Sequence, residues 1–386
     1  MSKVKIIPDL RFPEFEKNGE WVETTIEQVA KVTTGNKDTQ NKVENGKYPF
    51  FVRSQTVERI NSYSFDGEAI LTSGDGVGVG KNFHYINGKF DFHQRVYCIY
   101  DFLNDVCGEF VFMFFSQHFN ERVMKMSAKN SVDSVRMAMI TEMPICLPSK
   151  NEQQKIASCL LSLDEVIAAH SQKLNLLKEH KKGMMQNLFP QEGEKVPKYR
   201  FKEFENDGEW VEKKLGQIAE NLDSKRIPIT STQREKGKVP YYGASGIVDY
   251  VRDYIFDETL LCISEDGANL IDRNYPIAFT ITGKTWVNNH AHVLRFENFD
   301  TQILVEKYIN AINIEDFLTG MAQPKLNRGY LDIIPIPLPK NPKEQQKIAS
   351  CLSSLDALIT AQAEKIEQLK LHKKGLMQGL FPKINE

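Results

Sequence analysis

The segment EQQKIASCLLSLDEVIAAHSQKLNLLKEHKKGMMQNLFP, from Glu152 to Pro190, occurs a second time as EQQKIASCLSSLDALITAQAEKIEQLKLHKKGLMQGLFP, from Glu344 to Pro382. The same residue occupies 26 of the 39 aligned positions. A second matched pair precedes them: RFPEFEKNGEWVETTIEQVAKV begins at Arg11, and RFKEFENDGEWVEKKLGQIAEN begins at Arg200. A period of roughly 190 residues is too long for a solenoid repeat. The chain is therefore a tandem duplication, in which each copy is a domain with a long appended segment.

The appended segments have the heptad pattern of a coiled coil. Apolar residues alternate at spacings of four and three over about five heptads in each copy. A stripe of ~55 Å, at ~1.5 Å per residue, is longer than one face of such a domain. We therefore expect the two stripes to pack on each other as an antiparallel pair. The apolar seam positions are Ile156, Leu160, Leu163, Ile167, Leu174, Leu177 and Leu188 in the first copy, and Ile348, Leu352, Leu355, Ile359, Ile366, Leu369 and Leu380 in the second.

The starts of both segments have the pattern of a helix N-terminus. Ser149 followed by Glu152 matches a capping box, and Asn341 followed by Glu344 repeats it. The proline that closes each segment is expected to stop its helix.

Polar residues interrupt the predicted seam at His170, Lys181, Gln362 and Lys373. One interpretation is that they set the register of the helices. The other, which we favour for the two lysines, is that their side chains extend from the end of the seam into water.

The middles of the two copies differ in sequence and are predicted to be mixed and β-rich. Residues 46–100 alternate apolar and polar side chains between turn residues, and the second copy does the same. Residues 108–128 and 301–320 are predicted to be helical. The predicted fold class is α+β: two such domains separated by two long antiparallel coiled-coil helices, in a pseudo-two-fold tandem repeat. The predicted boundaries are 1–150 and 191–340 for the domains, and 151–190 and 341–386 for the helices.

The composition is that of an ordinary globular protein, with 41% hydrophobic and 26% charged residues. No apolar run approaches the ~18 residues of a membrane span, and the start lacks the pattern of a signal peptide. We therefore expect a cytoplasmic protein without a membrane partner. None of the six cysteines forms a CxxC pair, so we expect reduced thiols. The net charge of −2 does not indicate nucleic-acid binding, although a local basic surface would suffice for it.

Two strings resemble phosphate-binding loops only loosely. AFTITGKT, residues 278–285, contains stiff strand formers where a P-loop needs flexibility. GDGVGVGK, residues 74–81, is interpreted as a strand that is sharply bent or approaches a ligand closely. His290 and His292 have a possible metal spacing but no third ligand nearby, so we expect no metal site. No methyltransferase or nuclease motif stands out, and the sequence offers no candidate catalytic residues.

Polar and aromatic side chains in the divergent middles are candidates for contact with bases. Arginine and lysine suit guanine, and asparagine and glutamine suit adenine. The candidates are Arg53, Ser54, Gln55, Lys81, His93, Gln94 and Arg95 in the first copy, and Tyr241, Tyr242, Ser245, Lys284, Trp286, Asn289 and His290 in the second.

Taken together, these features resemble the specificity subunit of type I restriction-modification systems. The tandem repeat carries the resemblance, with WVETTIEQVAKV, WVEKKLGQIAEN and, most strongly, PIPLPKNPKEQQKIASCLSSLDALI and its first-copy counterpart. The strings FHQRVY and NNHAHVLRF add to it. They differ from each other, so the sequence does not establish that His93 and His290 have equivalent roles.

The resemblance implies two target-recognition domains, each reading one half of a split, asymmetric sequence in double-stranded DNA. It implies that the helices set the spacing of the halves. Two methyltransferase subunits carrying S-adenosylmethionine would dock on the repeated regions, and restriction subunits carrying ATP hydrolysis and a Mg-dependent nuclease would join through them. This chain would then be non-catalytic and bind no cofactor itself. The alternatives are a stand-alone DNA-binding regulator and a DNA-modifying enzyme in its own right.

Overall fold

The computed structural model describes residues 6–126, 134–320 and 323–382. The chain divides into two compact units. Unit 1 comprises Met1–Ala169 together with Ile366–Glu386, and unit 2 comprises His170–Lys365. Each unit therefore contains part of both repeated segments.

Unit 1 is built on a six-stranded sheet and a separate strand pair. The sheet order is β2-β7-β5-β6-β3-β4, and β1 pairs antiparallel with β8. Within the sheet only β3 and β6 are parallel neighbours. The strands are β1 Val22–Thr25, β2 Lys31–Thr34, β3 Tyr48–Phe51, β4 Glu58–Ile60, β5 Phe65–Ser73, β6 Phe83–Phe92, β7 Val96–Tyr100 and β8 Pro144–Leu147. The helices are α1 Ile26–Val29, α2 Gly108–Met126, α3 Met137–Thr141 and the first part of α4 Lys150–Leu188.

Unit 2 contains two four-stranded sheets and a strand pair. The sheet orders are β10-β17-β14-β15 and β12-β11-β16-β13, and β9 pairs antiparallel with β18. The strands are β9 Val211–Lys214, β10 Glu220–Asn221, β11 Lys236–Gly243, β12 Gly246–Val251, β13 Phe256–Asp257, β14 Leu260–Ser264, β15 Ala278–Ile281, β16 Lys284–Val287, β17 Ala291–Arg295 and β18 Pro335–Leu338. The helices are α5 Leu215–Ile218, α6 Asn269–Asp272, α7 Phe299–Ala311, α8 Arg328–Ile333 and the first part of α9 Pro342–Leu380.

The two units share a strand framework, which confirms the predicted α+β tandem repeat. The order β2-β7-β5 in unit 1 matches β10-β17-β14 in unit 2, with antiparallel pairing throughout. In each unit one helix packs against this framework. The buried side chains of α2 include Phe110, Phe114 and Phe119. Aromatic side chains of this size remove the most apolar area from water, so they stabilise the unit 1 core most.

The two long helices, α4 and α9, pair antiparallel within each unit, as predicted. In unit 2 the Gln362 amide donates to Nδ1 of His170 at 2.7 Å, while Lys181, further along α4, contacts Asp356, which is earlier in α9. In unit 1 the Lys373 ammonium lies 2.5 Å from Asp164. All fourteen apolar seam positions are buried or partly buried.

The seam lysines differ from the favoured interpretation. Their side chains are only 29% exposed at Lys181 and 23% exposed at Lys373, because each pairs with an aspartate of the facing helix. The repeat places the same aspartate and lysine in both segments, so antiparallel packing brings opposite charges together twice. The polar interruptions are therefore interhelical contacts, consistent with the alternative that they set the register.

Both glutamates of the predicted capping boxes bind arginines instead. Glu152 accepts two hydrogen bonds from the Arg11 guanidinium, at 2.7 and 2.8 Å, and Glu344 accepts two from Arg200, both at 2.8 Å. Both glutamate side chains are almost fully buried. Of the predicted cap residues, Asn341 does cap its helix, because its side-chain oxygen accepts from the backbone N–H of Lys343.

The helix predicted over 301–320 ends early, at Ala311. The guanidinium of Arg273 donates to the carbonyls of Ile309 and Ile312, at 3.2 and 3.0 Å, and so satisfies carbonyls that further helix would have used. The helix predicted over 108–128 spans Gly108–Met126, and residues 127 and 128 lie outside the described residues.

The two glycine-rich strings adopt turns. Strand β5 stops at Ser73, and Gly76 and Gly80 have φ of +78° and +65°, so residues 74–81 form a loop and not the predicted bent strand. Gly283, with φ of +68°, turns β15 directly into β16. A P-loop would place a helix there, so AFTITGKT has the wrong structure for one.

No helix in the described part of the chain combines the length and apolarity that crossing a membrane requires. All six cysteines are free thiols. Burial raises the pKa of Cys98 to about 12 and that of Cys146 to about 11.

We predict that exchanging the charges of the Asp164–Lys373 pair restores most of what either single reversal loses. D164K or K373D alone places like charges together and should lower the free energy of unfolding by roughly 1 kcal/mol. Urea denaturation of the singles and of D164K/K373D measures the coupling. Reversing the exposed Lys370–Glu367 pair within α9 serves as the control. Strictly additive losses in the double variant would contradict the pairing.

We also predict that Arg11→Ala is severely destabilising. It leaves the Glu152 carboxylate buried without its partner, a change that costs about 3–5 kcal/mol. The double variant R11M/E152Q removes both charges and should lose much less. Thermal and urea denaturation compare the two, and equal losses would mean that the uncompensated charge is not the cause.

Candidate nucleic-acid interface

In unit 1 the structure brings together candidates that are distant in sequence. The Arg53 guanidinium lies 2.8 Å from one carboxylate oxygen of Asp75, and the Arg95 guanidinium lies 3.4 Å from the other. The two arginine side chains are 44% and 64% exposed, whereas Asp75 is 19% exposed. Two cations are thus held at the surface by one largely buried anion.

The hairpin of β5 and β6, which leads to these loops, contains a pair of facing glycines. Gly67 of β5 pairs with Gly88 of β6, and their φ angles are +148° and +146°. Residues with a Cβ rarely adopt this conformation, so the paired glycines allow both strands to bend at one point. The end of β6 then lies beside β3, while Ser73 at the end of β5 pairs with Val96 at the start of β7.

The other unit 1 candidates fall into two groups. Gln55, Lys81 and Gln94 are exposed and Ser54 is partly buried, so these remain available as candidate contacts. His93 is only 3% exposed, and its Nδ1 accepts a hydrogen bond from the backbone N–H of Arg95 at 2.9 Å. This burial argues against His93 as a base contact and gives it a role in shaping the turn.

In unit 2 the candidates His290, Asn289 and Ser245 are exposed. The His290 imidazole binds Asp266, with Nδ1 at 2.9 and 3.0 Å from the two carboxylate oxygens. Tyr241 is 1% exposed and its hydroxyl contacts the backbone of Ile229, so the structure assigns it to the core and not to a binding surface.

The side chains of the three remaining unit 2 candidates make other contacts. Tyr242 is partly buried and stacks on Phe279. Trp286 donates from Nε1 to the Ile227 carbonyl at 2.7 Å. Lys284 lies over the Tyr254 ring at the start of β16, about 10 Å along the strand from its end at ~3.3 Å per residue.

Sequence reasoning missed the two aspartates that organise these loops. Asp75 and Asp266 each follow the central strand of their sheet, in the strings Ser-Gly-Asp-Gly from Ser73 and Ser-Glu-Asp-Gly from Ser264. The shared Ser-x-Asp-Gly pattern was a usable signal, but it lies in the part of the repeats that matches poorly.

A buried charged cluster lies beneath the unit 2 loops. Asp223 accepts from Nδ1 of His292 at 2.6 Å, and Nε2 of His292 lies 2.7 Å from the Leu326 carbonyl oxygen. Both ring nitrogens of His292 therefore face acceptor oxygens. Arg226 donates to Glu265 at 2.6 Å beside it.

This cluster contains a set of potential metal ligands, Asp223, Glu265 and His292, whose ligand atoms lie within 4.8 Å of one another. The carboxylates are already neutralised, since Arg226 contacts both of them and Lys325 lies 3.2 Å from Glu265. A divalent cation would have to displace these cations, so the arrangement fits a buried ion-pair network better than a metal centre.

The Asp223 carboxyl has a lowered pKa. Burial alone would raise its pKa, but the hydrogen bond and charge of His292, the Val293 N–H and the Arg226 guanidinium together lower it. A lowered folded-state pKa contributes stability above the unfolded value, near 3.9, and this stability is lost as the pH falls through the folded value.

We therefore predict that Asp223 contributes to acid denaturation of unit 2. The chain should lose stability as the pH falls below about 4, and D223N should lose stability at neutral pH and show a shallower acid dependence. Urea midpoints measured from pH 3 to 7 test this. Exposed Asp257, converted to Asn, is the control. Parallel pH curves for D223N and the parent chain would exclude the contribution.

Comparison with known proteins agrees with this architecture. Residues 18–179 and 207–371 each match the type I restriction modification DNA specificity domain. The matches cover more than half of the chain, one in each repeat. The chain belongs to this family of specificity subunits.

Individual relatives support the assignment. The EcoDI specificity subunit of Escherichia coli is 22% identical over 94% of this chain and 87% of its own length. A putative type I restriction enzyme specificity subunit of Haemophilus influenzae is 36% identical over 39% of this chain, a match that spans 38% of that protein. The crystal structure of the S subunit from M. genitalium has the same fold, with a TM-score of 0.69 at 17% identity over 98% of this chain and 100% of that one.

As a specificity subunit, the chain recognises DNA and is not an enzyme.

Proposed function

We propose that this specificity subunit reads a bipartite, asymmetric DNA target, with one half-site read by each unit. The observation that carries this proposal is the shared strand framework with different side chains at its loops. Arg53 and Arg95 lie on Asp75 in unit 1, whereas His290 lies on Asp266 in unit 2. Equivalent frameworks with different exposed donors and acceptors suit two unlike half-sites.

The candidate base contacts retained by this proposal are exposed or partly buried. They are Arg53, Ser54, Gln55, Lys81, Gln94, Arg95, Tyr242, Ser245, Lys284, Trp286, Asn289 and His290. Residues 1–150 and 191–340 remain the proposed target-recognition domains, and 151–190 and 341–386 the proposed helical segments. We expect the length of the paired helices to determine the spacer between the half-sites.

The proposed partners follow from the family. The EcoDI relative is named as the specificity subunit of a type I restriction enzyme. We propose that this chain likewise acts in the cytoplasm with two methyltransferase subunits, and with restriction subunits through them. S-adenosylmethionine, ATP and Mg would then belong to those partners. The family match favours this role over a stand-alone regulator or an enzyme acting by itself.

We predict that exchanging residues 30–145 for the corresponding region of a relative changes one half-site only. The other half-site and the spacer should stay the same, because unit 2 and the long helices are untouched. Methylome sequencing of cells that carry the matched methyltransferase subunits reads the target directly. The reciprocal exchange of residues 220–330 is the matched control. If the first exchange altered both half-sites, the two units would not read DNA independently.

A further inference from the structure

The loops that follow the central strands of the two units share a set of backbone contacts. Ser73 pairs with Val96 in unit 1, and Ser264 pairs with Ala291 in unit 2. One residue beyond each serine, the backbone N–H donates across the strands: Gly74 to the Arg95 carbonyl at 2.8 Å, and Glu265 to the His290 carbonyl at 2.9 Å. In this register the residue of unit 1 that corresponds to His290 is Arg95. It is not His93.

A second contact confirms the register independently. His93 Nδ1 accepts from the backbone N–H of Arg95 at 2.9 Å, and Asn288 Oδ1 accepts from that of His290 at 2.8 Å. The backbone N–H groups of His93 and Asn288 in turn donate to carbonyls near the ends of paired strands. The acceptors are Phe51, the last residue of β3, at 2.9 Å, and Tyr242, the next-to-last residue of β11, at 3.0 Å. His93 and Asn288 are therefore the equivalent, buried turn-forming residues.

The loop aspartates are equivalent as well. Asp75 forms an isolated bridge with Ser134, and Asp266 forms one with Lys325. The next residue after each partner closes the loop: Val135 donates to the Gly74 carbonyl at 2.7 Å, and Leu326 donates to the Glu265 carbonyl at 2.8 Å.

In both units the residue at this equivalent position is exposed and lies on the loop aspartate. Arg95 is 64% exposed above Asp75, which is 19% exposed. His290 is 52% exposed above Asp266, which is 35% exposed. The backbone contacts of the two loops match, whereas the side chain at this position differs. An exposed donor whose position is fixed by a less exposed partner is preorganised for recognition.

We propose that Arg95 and His290 occupy one equivalent position that reads a base in each half-site, and that Asp75 and Asp266 are positioning residues for them. This inference rests on the proposed bipartite recognition and adds a specific residue to each half. Arginine at this position can donate two hydrogen bonds to O6 and N7 of guanine. Histidine cannot form that fork, so the two half-sites should differ at the base that this position reads.

The difference extends to Arg53. It shares Asp75 with Arg95 in unit 1, whereas Ala244 stands at the corresponding point of unit 2, two residues after Tyr242 as Arg53 is after Phe51. Unit 1 therefore has a pair of arginines where unit 2 has one histidine. This favours a guanine in the first half-site and a different base at the matching place in the second.

The test is the methylation target of the assembled complex, with this chain and its methyltransferase subunits, measured on a randomised DNA library. In R95H the guanine preference at one position of the first half-site should fall about ten- to hundred-fold, the range for loss of a bidentate base contact. H290R should create a guanine preference at one position of the second half-site. The matched controls, K89H in unit 1 and R252H in unit 2, change exposed residues outside the loops and should leave the target unchanged.

The positioning role is tested by D75N and D266N. Each should relax preference at the same base position as its partner's variant, with little change in melting temperature, and D75E should restore most of the preference. A purely structural role would lower stability or weaken both half-sites equally, and that result would overturn the positioning role. If R95H does not fold, R95K and R95Q give the same readout, with preference retained more by lysine.

The outcomes separate the inference from the proposed function. If the parent chain reads a bipartite target but R95H and H290R leave every base position unchanged, the inference fails and the proposed function stands. If the parent complex shows no bipartite target, the proposed function itself fails. A folded variant that loses methylation of every library sequence would also count against the inference, because it would show a general role instead of a role at one base.

Discussion

The apolar stripe on each long helix has to be covered, and in both units it is covered by the other long helix. In unit 1, Leu380 and Phe381 join a core that also contains Ile156 and Leu160. In unit 2, Leu188 and Phe189 join a core that contains Ile348 and Leu352. An isolated helix would expose its apolar stripe to water, so each unit depends on residues from two distant parts of the sequence. In each unit the strands that carry the loops pack into the same core as the long helices.

Charged pairs specify the register of the two long helices, which apolar packing alone does not determine. A heptad stripe of leucine and isoleucine can pair in more than one register, because its positions are chemically alike. The Asp164–Lys373 and Lys181–Asp356 pairs place opposite charges together in the antiparallel register only. The buried bidentate pairs of Arg11 with Glu152 and Arg200 with Glu344 fix where each N-terminal segment meets its helix. Buried pairs add little net stability compared with apolar residues, so their contribution here is better described as specificity.

Much of this fold could be predicted from the sequence because duplication made the signals visible twice. The heptads and the matched segments indicated the helices, and alternation indicated the strands. The predictions failed where a distant side chain decided the outcome. Arg273, from another part of unit 2, binds the carbonyls at the end of α7 and ends that helix. The carboxylates of Asp164 and Asp356 bind the two seam lysines, which were predicted to extend into water. Among the candidate site residues, Tyr241 and His93 have polar groups that could contact DNA. Both side chains are buried and hydrogen-bonded to the backbone, so they are not accessible to DNA. Local sequence does not show this, because it depends on which strands become neighbours.

The division of the chain into units also has a consequence for its synthesis. Unit 2 is one continuous stretch, residues 170–365, whereas unit 1 needs residues 366–386 in addition to the first 169. On the ribosome, the domain translated second can complete its core before the domain translated first. Until Leu380 and Phe381 emerge, the aromatic face around Phe110 and Phe114 lacks its covering side chains. At ~5–20 residues per second, the unit 1 region waits on the order of ten seconds or more after its own strands are made. During that interval the nascent chain exposes apolar surface of the kind that chaperones bind.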